Sequence, residues 1–351
     1  MRILIPLLSF APQGGYRVLS ELANAWRRQA HDCVFLVPST SGDPYFPTTA
    51  PILRADKTGR FSAHPSERAP SGLDNILSLF SGLQKIGPEY DVILANHSLT
   101  AWPVSLARTG KARKFYYVQA YEPEYYKFWS SPIKNVLSRM SYLLPLRQIS
   151  NSSTYDAVGL KPLDVIPPGI DLSIFAQRVE APRFSPSSEI VLGTIGRVEP
   201  HKGTGTALAA YRLLRAMEPH LKMNVGFGNV APDSDITITP INGDAALAAY
   251  YRSVDILVVA CRGQHGAPHY PLIEAMASGT PVVHTGYYPG TSANSWIAED
   301  ASTEALAIAI RQVIDASDGD RADRIHDARR TVEDGLAWDV VADRFIGCFR
   351  R

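Results

Sequence analysis

Several side chains in this chain stand where chemistry could be done. Arg197 and Lys202 lie in the loop GRVEPHKG, 196–203, between an apolar run at 190–195 and a helical pattern starting at Thr204. Two cations on a strand-end loop beside a helix N-terminus can hold a diphosphate and stabilise its charge as it leaves. Glu274 stands in PLIEAMASGTPVV, 271–283, after a loop rich in Gly, His and Pro. His97 follows the apolar run 92–95, and Gln119 closes the run KFYYVQ, 114–119. Gly14 and Gly15 end the loop SFAPQGG, 9–15. Each has an ordinary reading when taken alone. A Glu in the first turn of a helix is usually a solvated carboxylate favoured by the macrodipole. A lone His is usually structural or solvated, and a glycine pair is usually a turn.

The elements that must position these residues follow from periodicity. Residues 256–260 have the length and β-branched content of a buried strand. Pro271 suits the first turn of a helix. Gly279 stands where a left-handed C-cap belongs, and 281–284 reads as the next strand. A strand–loop–helix–strand unit implies parallel strands. In such sheets ligands bind outside the carboxyl ends of the strands. That rule points to 262–274, where helix N–H groups can hold an anion, and it makes His97 a candidate site residue.

The first half has the same character. Residues 2–8 and 33–37 read as strands, with helical periodicity from Tyr16 to Arg28: Val18, Leu19, Leu22, Ala23 and Trp26 share a face. Met1 to Leu8 superficially resemble a signal start, but the apolar run is short and lacks a cleavage site. Residues 39–70 are polar and proline-rich and are expected to be irregular. A helix is expected at 73–86, and strands at 92–95, 114–119 and 148–150. Residues 178–188 read as a linker. A second α/β pattern then begins at Glu189, with strands at 190–195, 224–227 and 235–239 and helices at 204–217 and 244–253. Helices at 304–314, 320–333 and 338–351 end the chain.

The strings PLIEAMASGTPVV, GR…KG and VIPPGIDLSIF, 165–175, resemble the retaining glycosyltransferases of the GT-B fold, in the GT4-type group. The resemblance implies two Rossmann-like α/β domains facing each other across a cleft, at 1–178 and 189–334. The terminal helix, 335–351, would cross back to the first domain. It implies transfer of a sugar from a nucleotide diphosphate sugar to an acceptor hydroxyl, with retention, in glycan, glycolipid or glycosylated natural-product synthesis. Glu274 would hold the ribose. His269, Tyr270, Leu272 and Ile273 would line the donor, Gly228 the nucleoside, and Arg197 and Lys202 the leaving diphosphate.

The family also places a Gly-Gly loop near donor and acceptor, which assigns Gly15 to the donor and Gly14 to the acceptor. Many relatives have a catalytic His where Gln119 stands. The following AYEPEYYKFW resembles a rhamnosyltransferase-like branch, which points to a deoxysugar such as rhamnose on dTDP. Gln119, by this resemblance, and His97, by its place at the carboxyl end of a strand, are the catalytic candidates of the first half, and the resemblance makes Glu122 an acceptor contact. One departure matters. The family's other donor-site Glu, eight residues before Glu274, is Gly266 here, with His265 and His269 as the nearby polar candidates.

Composition bounds the partners. The chain has 351 residues, 45% apolar and 20% charged, with net charge +1. That is ordinary for a soluble two-domain protein and gives no reason to expect nucleic acid. Cys33, Cys261 and Cys348 form neither a disulfide framework nor a zinc spacing and are read as packing residues. No DxD-like pair is placed to hold a divalent cation against the diphosphate, so neither metal nor cofactor is expected beyond the nucleotide-sugar co-substrate. The acceptor is a glycan, a lipid-linked group or a small molecule. Rival readings are a GT-B nucleotide-sugar epimerase and a two-domain sugar-binding protein.

No stretch approaches the roughly 18 apolar residues that span a bilayer, so a cytoplasmic location is expected. The segment 111–147 is basic, with Lys111, Arg113, Lys114, Lys127, Lys134, Arg139 and Arg147 against Glu122 and Glu124. Trp129, Ile133, Val136, Leu137, Met140, Leu143 and Leu144 interleave with them. A basic amphipathic helix can lie on an anionic membrane, which would make 131–147 a peripheral contact at the inner face of the plasma membrane. The ordinary fate of such a helix is an apolar stripe turned into the core, and that is the expectation here.

Overall fold

The computed structural model describes residues 1–67, 71–126, 128–182, 184–185, 188–231, 233–263 and 266–351. The chain divides into two compact units. Unit 1 is Met1–Gly169 with Trp338–Arg351, and unit 2 is Ile170–Ala337.

Unit 1 runs β1 (Arg2–Pro6), α1 (Gly14–Arg28), β2 (Asp32–Pro38), β3 (Ile52–Ala55), β4 (Phe61–Ser62), α2 (Gly72–Ile86), β5 (Val92–Ala95), α3 (Ser98–Leu106), β6 (Arg113–Val118), α4 (Pro132–Ser141), β7 (Arg147–Ser150) and β8 (Asp164–Val165). The sheet order is β4-β3-β2-β1-β5-β6-β7-β8, with every pair parallel except β3–β4. Its central strands are near-continuous apolar runs because both faces are covered. The expected face of α1, Val18, Leu19, Leu22, Ala23 and Trp26, is buried on the sheet.

Unit 2 runs β9 (Ile190–Ile195), α5 (Thr204–Arg215), β10 (Leu221–Gly226), β11 (Ile236–Thr239), α6 (Gly243–Ser253), β12 (Ile256–Val259), α7 (Tyr270–Ala277), β13 (Val282–His284), β14 (Trp296–Ile297), α8 (Thr303–Asp315) and α9 (Asp318–Leu336). Its sheet is β11-β10-β9-β12-β13-β14, parallel throughout. Ser302 and Ser317 cap α8 and α9 by accepting from Ala305 and Asp320 N–H, which satisfies donors the helices cannot. The last helix, α10 (Trp338–Arg350), returns to unit 1. There the Trp26 indole donates to the Ala342 carbonyl at 3.1 Å and meets Phe345 edge-on at 5.8 Å.

Three expectations are corrected. The segment 39–70 is not wholly irregular, since β3 and β4 extend the sheet. Arg54 breaks the apolar period of β3, yet it is buried, with its guanidinium on Asp43 (2.8 Å) and the Ala63 carbonyl. Residues 68–70 lie outside the described ones. The boundary between units falls at Gly169 rather than in 178–188. Ile170 N–H donates to the Leu336 carbonyl at 2.8 Å, Phe175 is buried in unit 2, and Arg178 N–H donates to Ser278 at 3.0 Å. The third concerns α4, which turns its polar side inward. Asn135, Ser138 and Ser141 are buried while Ile133, Val136, Met140 and Leu143 are exposed.

Candidate functional site

In unit 2 the strand order reverses between β9 and β12, the point where doubly wound sheets leave a crevice at their carboxyl ends. A pocket of about 160 Å³ opens there, lined among others by Thr194, Arg197, Lys202, Cys261, His269 and Pro271. The 196–203 loop reaches it because two glycines permit close backbone contact. A Cβ on Gly196 would overlap the Gly228 carbonyl, and one on Gly203 would overlap the Ala260 carbonyl. Gly203 and Gly228 also have positive φ, +76° and +81°, which only glycine adopts without strain. Gly228 therefore contributes backbone shape to the site's edge.

The two cations differ. Arg197 is paired with Glu199 and its N–H donates to Thr204 Oγ1 at 2.9 Å. The Arg197 guanidinium holds the Glu199 carboxyl down to about 2. Among the described residues no carboxylate pairs with Lys202. Burial, with the nearby Lys202 charge second, lowers His269 to about 4. His269 is therefore a neutral imidazole near pH 7. Its Nε2 lies 3.1 Å from Cys261 Sγ, and its Nδ1 has no partner among the described residues. Burial pushes the Cys261 thiol up, which favours the inert thiol over a nucleophile.

Helix α7 begins as the sequence implies, with Pro271 in its first turn and Gly279 left-handed (φ +74°) just past its end. Glu274, however, is neither in the first turn nor solvated. It is 4% exposed in the second turn, and its Oε2 accepts from the Tyr251 hydroxyl of α6 at 2.8 Å. Leu272 and Ile273, expected on the donor, are fully buried in the core. Their side chains anchor α7, because two consecutive apolar groups on a short helix between strands have nowhere else to go. Tyr270 is half-buried at the first helical position. Gly266 donates its N–H to Gly286 at 2.7 Å. His265 lies outside the described residues.

In unit 1 the expected residues gather at the carboxyl ends of β1, β5 and β6, around the switch point between β1 and β5. Gly14 and Gly15 are not loop residues but open α1, after Gln13 as N-cap. A Cβ on Gly15 would lie 3.4 Å from the Gln119 amide, so the two are neighbours. The Gln119 carbonyl is held by Asn151 (2.8 Å) and the Tyr155 hydroxyl (3.1 Å).

His97 caps α3, with Nδ1 accepting from Leu99 N–H at 3.0 Å. Nε2 therefore carries the hydrogen and faces Glu122 Oε2 at 3.2 Å. Burial lowers the His97 pKa and Glu122 opposes that. Glu122, expected at the acceptor, is buried and committed. It accepts from Ser98 N–H (2.8 Å), Ser98 Oγ and the Tyr116 hydroxyl (3.2 Å). A carboxylate at the N-terminus of α3 is stabilised by its open N–H groups, so Glu122 acts first as a structural hub.

Sequence reasoning missed the loop after β13. His284 is fully buried, accepts at Nδ1 from Gly286 and Tyr287 N–H (3.1 and 3.0 Å) and meets Ser295 Oγ at Nε2 (2.9 Å). Thr285 and Tyr287 donate to the carbonyls of Cys261 and Gly263, each at 2.6 Å. This loop thus fixes the segment that carries His269. Its run TGYYPG was the available signal, since aromatics beside Gly and Pro mark an ordered loop. Asp233 and Asp235, the chain's one Asp-Ser-Asp string, pair with Arg212 (2.8 Å) and Arg215 (2.5 Å). A larger groove of about 730 Å³ between α5 and α8 holds none of the expected site residues.

Known proteins share this fold and, over part of the chain, its sequence. Residues 189–316 match the family described as glycosyl transferases group 1. A D-inositol 3-phosphate glycosyltransferase of Segniliparus rotundus is 28% identical over 230 residues, covering 56% of this chain and 48% of the relative. The match thus spans about half the length of that curated relative. The sucrose-phosphate synthase of Thermosynechococcus elongatus superposes with a TM-score of 0.70 at 17% identity, covering 100% of this chain and 98% of the other. An Anabaena protein solved with UDP and glucose superposes with a TM-score of 0.65 at 14% identity, covering 100% and 99%. At such identities the likeness establishes fold, and the fold is GT-B. Residues 189–316, from β9 to α8, thus match the group 1 glycosyl transferases, and the chain as a whole has the GT-B fold.

Proposed function

We propose that this protein transfers a sugar from a nucleotide diphosphate sugar to an acceptor hydroxyl, with retention of configuration. The observation that carries the reading is the pocket at the β9–β12 switch point, where Lys202, Arg197 and His269 meet the start of α7. The diphosphate would lie against Lys202, Arg197 and the positive end of α7. Its departure would lead the chemistry through an oxocarbenium-like transition state, with the two cations taking up the growing charge. Neutral His269 would offer a hydrogen bond to the donor. Glu274 would hold the ribose hydroxyls, its carboxylate oriented by Tyr251. These cations do the work that a divalent ion does elsewhere, so the reaction is read as metal-independent. Gly14, Gly15, His97 and Gln119 of unit 1 would serve the acceptor and the reacting sugar.

The nucleobase and sugar can be found by thermal shift against UDP, ADP, GDP and dTDP and their sugars, because a ligand that binds the native state raises its melting temperature. Product analysis then separates glycosyl transfer from epimerisation. Shifts with free sugars but none with any nucleotide would overturn the reading.

A further inference from the structure

The apolar face of α4 points to solvent, and the reason is local. The Asn135 side-chain amide donates to the carbonyls of Pro123 (3.1 Å) and Tyr126 (2.6 Å), and its oxygen accepts from Arg139 Nε (3.0 Å). Ser138 and Ser141 hydroxyls donate back to the carbonyls three residues earlier, at 2.9 and 2.7 Å. The polar stripe is thus buried and satisfied: the serine bonds lie within the helix, and rolling its apolar side inward would strand the Asn135 amide and the two carbonyls it serves. Outside lie Ile133, Val136, Met140 and Leu143, spaced on one face, with Phe128 and Trp129 just before the helix. Ile133, Leu143 and Trp129 are 73%, 83% and 93% exposed. Scattered exposed apolar residues are normal, but a contiguous face of this kind marks an interaction surface.

Charge says what covers it. From Phe128 to Arg147 the chain carries Lys134, Arg139 and Arg147 and no carboxylate. Beside the helix, a groove of about 740 Å³ is lined by Arg139, Arg147, Lys161 and Arg351 together with Leu143 and Leu163, and by no acidic side chain. Among the described residues the neighbouring acidic groups include Asp164, paired with Arg351 at 2.9 Å, and exposed Glu124 and Asp156. Apolar side chains ringed by cations, with an exposed Trp at the edge, match the boundary between acyl chains and anionic headgroups. We propose that this face of unit 1 docks on an anionic lipid bilayer, with the apolar row at the acyl boundary and the groove against lipid phosphates. Docking would bring the enzyme to acceptors held in the same membrane. The proposal does not depend on the donor chemistry.

The test is co-sedimentation of the full chain with phosphatidylcholine vesicles, with and without phosphatidylglycerol. Binding is expected only with phosphatidylglycerol and at low salt, with release at high salt. The double variant Ile133→Ser/Leu143→Ser and the single Lys134→Glu should each cut the pelleted fraction several-fold while melting like the wild type, since all three side chains are exposed. No pelleting at low salt, equal pelleting with phosphatidylcholine alone, or undiminished pelleting of the variants would overturn the proposal. So would light scattering that shows a wild-type dimer and a monomeric Ile133→Ser/Leu143→Ser variant, which would assign the face to a second copy.

Discussion

The Arg197 guanidinium is held by the Glu199 carboxylate two residues on, with nitrogen–oxygen distances of 3.0 and 3.3 Å. Both side chains are largely open to water, so the pair is weak and exchangeable. Glu199 occupies the cation that a diphosphate would need. Replacing Glu199 by Gln should therefore tighten donor binding several-fold and leave kcat nearly unchanged. Weaker binding in that variant would instead make Glu199 the group that positions Arg197.

Among the described residues Lys202 has no such competitor. Charge on the leaving oxygens grows as the glycosidic bond breaks, so Lys202 should help the transition state more than the ground state. Lys202→Ala should lower kcat by about 10²–10³ and raise the donor KM less. Arg197→Ala should follow the same pattern. The double variant should fall short of the product of the singles, because both cations serve one group. Initial rates with varied donor and saturating acceptor decide this, and a change in KM alone would leave the pair a binding role only.

Glu274→Ala should weaken nucleotide-sugar binding by roughly 1–3 kcal/mol, the scale of lost charged hydrogen bonds. Tyr251→Phe removes the 2.8 Å bond that orients the carboxylate and should cost less. Calorimetric titration of folded variants reads both. Unchanged nucleotide affinity in Glu274→Ala would refute the ribose role.

Glu122→Ala should lower unfolding free energy by about 2–6 kcal/mol. It leaves the Ser98 N–H and the Tyr116 hydroxyl buried without their acceptor, and each such group costs about 1–3 kcal/mol. Urea unfolding is the measurement. A loss below about 0.5 kcal/mol, the level of an ordinary surface substitution, would show that the hub is not structural.

Acid should destabilise the fold through His269 and His284. Burial lowers both to about 4, below the ordinary histidine value of about 6.5. Between those values the unfolded chain binds more protons than the folded one, so stability falls as pH drops from about 6.5 to about 4. Above about 6.5 these groups give no slope. Melting temperatures across that range should decline, and His284→Gln should flatten the decline. An unchanged slope in that variant would remove His284 from the account.

Much of this molecule was legible in its residues because the signals were local. Strand 190–195, the helix opened by Pro271 and ended by left-handed Gly279, and the parallel pairing of Ile256–Val259 with Val282–His284 all follow from period, caps and spacing. So did the meeting of Arg197, Lys202 and His269, since each sits at the carboxyl end of a strand in one doubly wound sheet. What the sequence could not carry was decided by long-range packing. Whether Glu274 faced water or Tyr251, whether Glu122 met a ligand or the start of α3, and whether Arg197 was free all depended on partners chosen by the fold. Helix α4 shows the limit most plainly. Its periodicity reports an apolar stripe and a polar stripe, but which one turns inward was set by the carbonyls of Pro123 and Tyr126, which only the tertiary structure places within reach of Asn135.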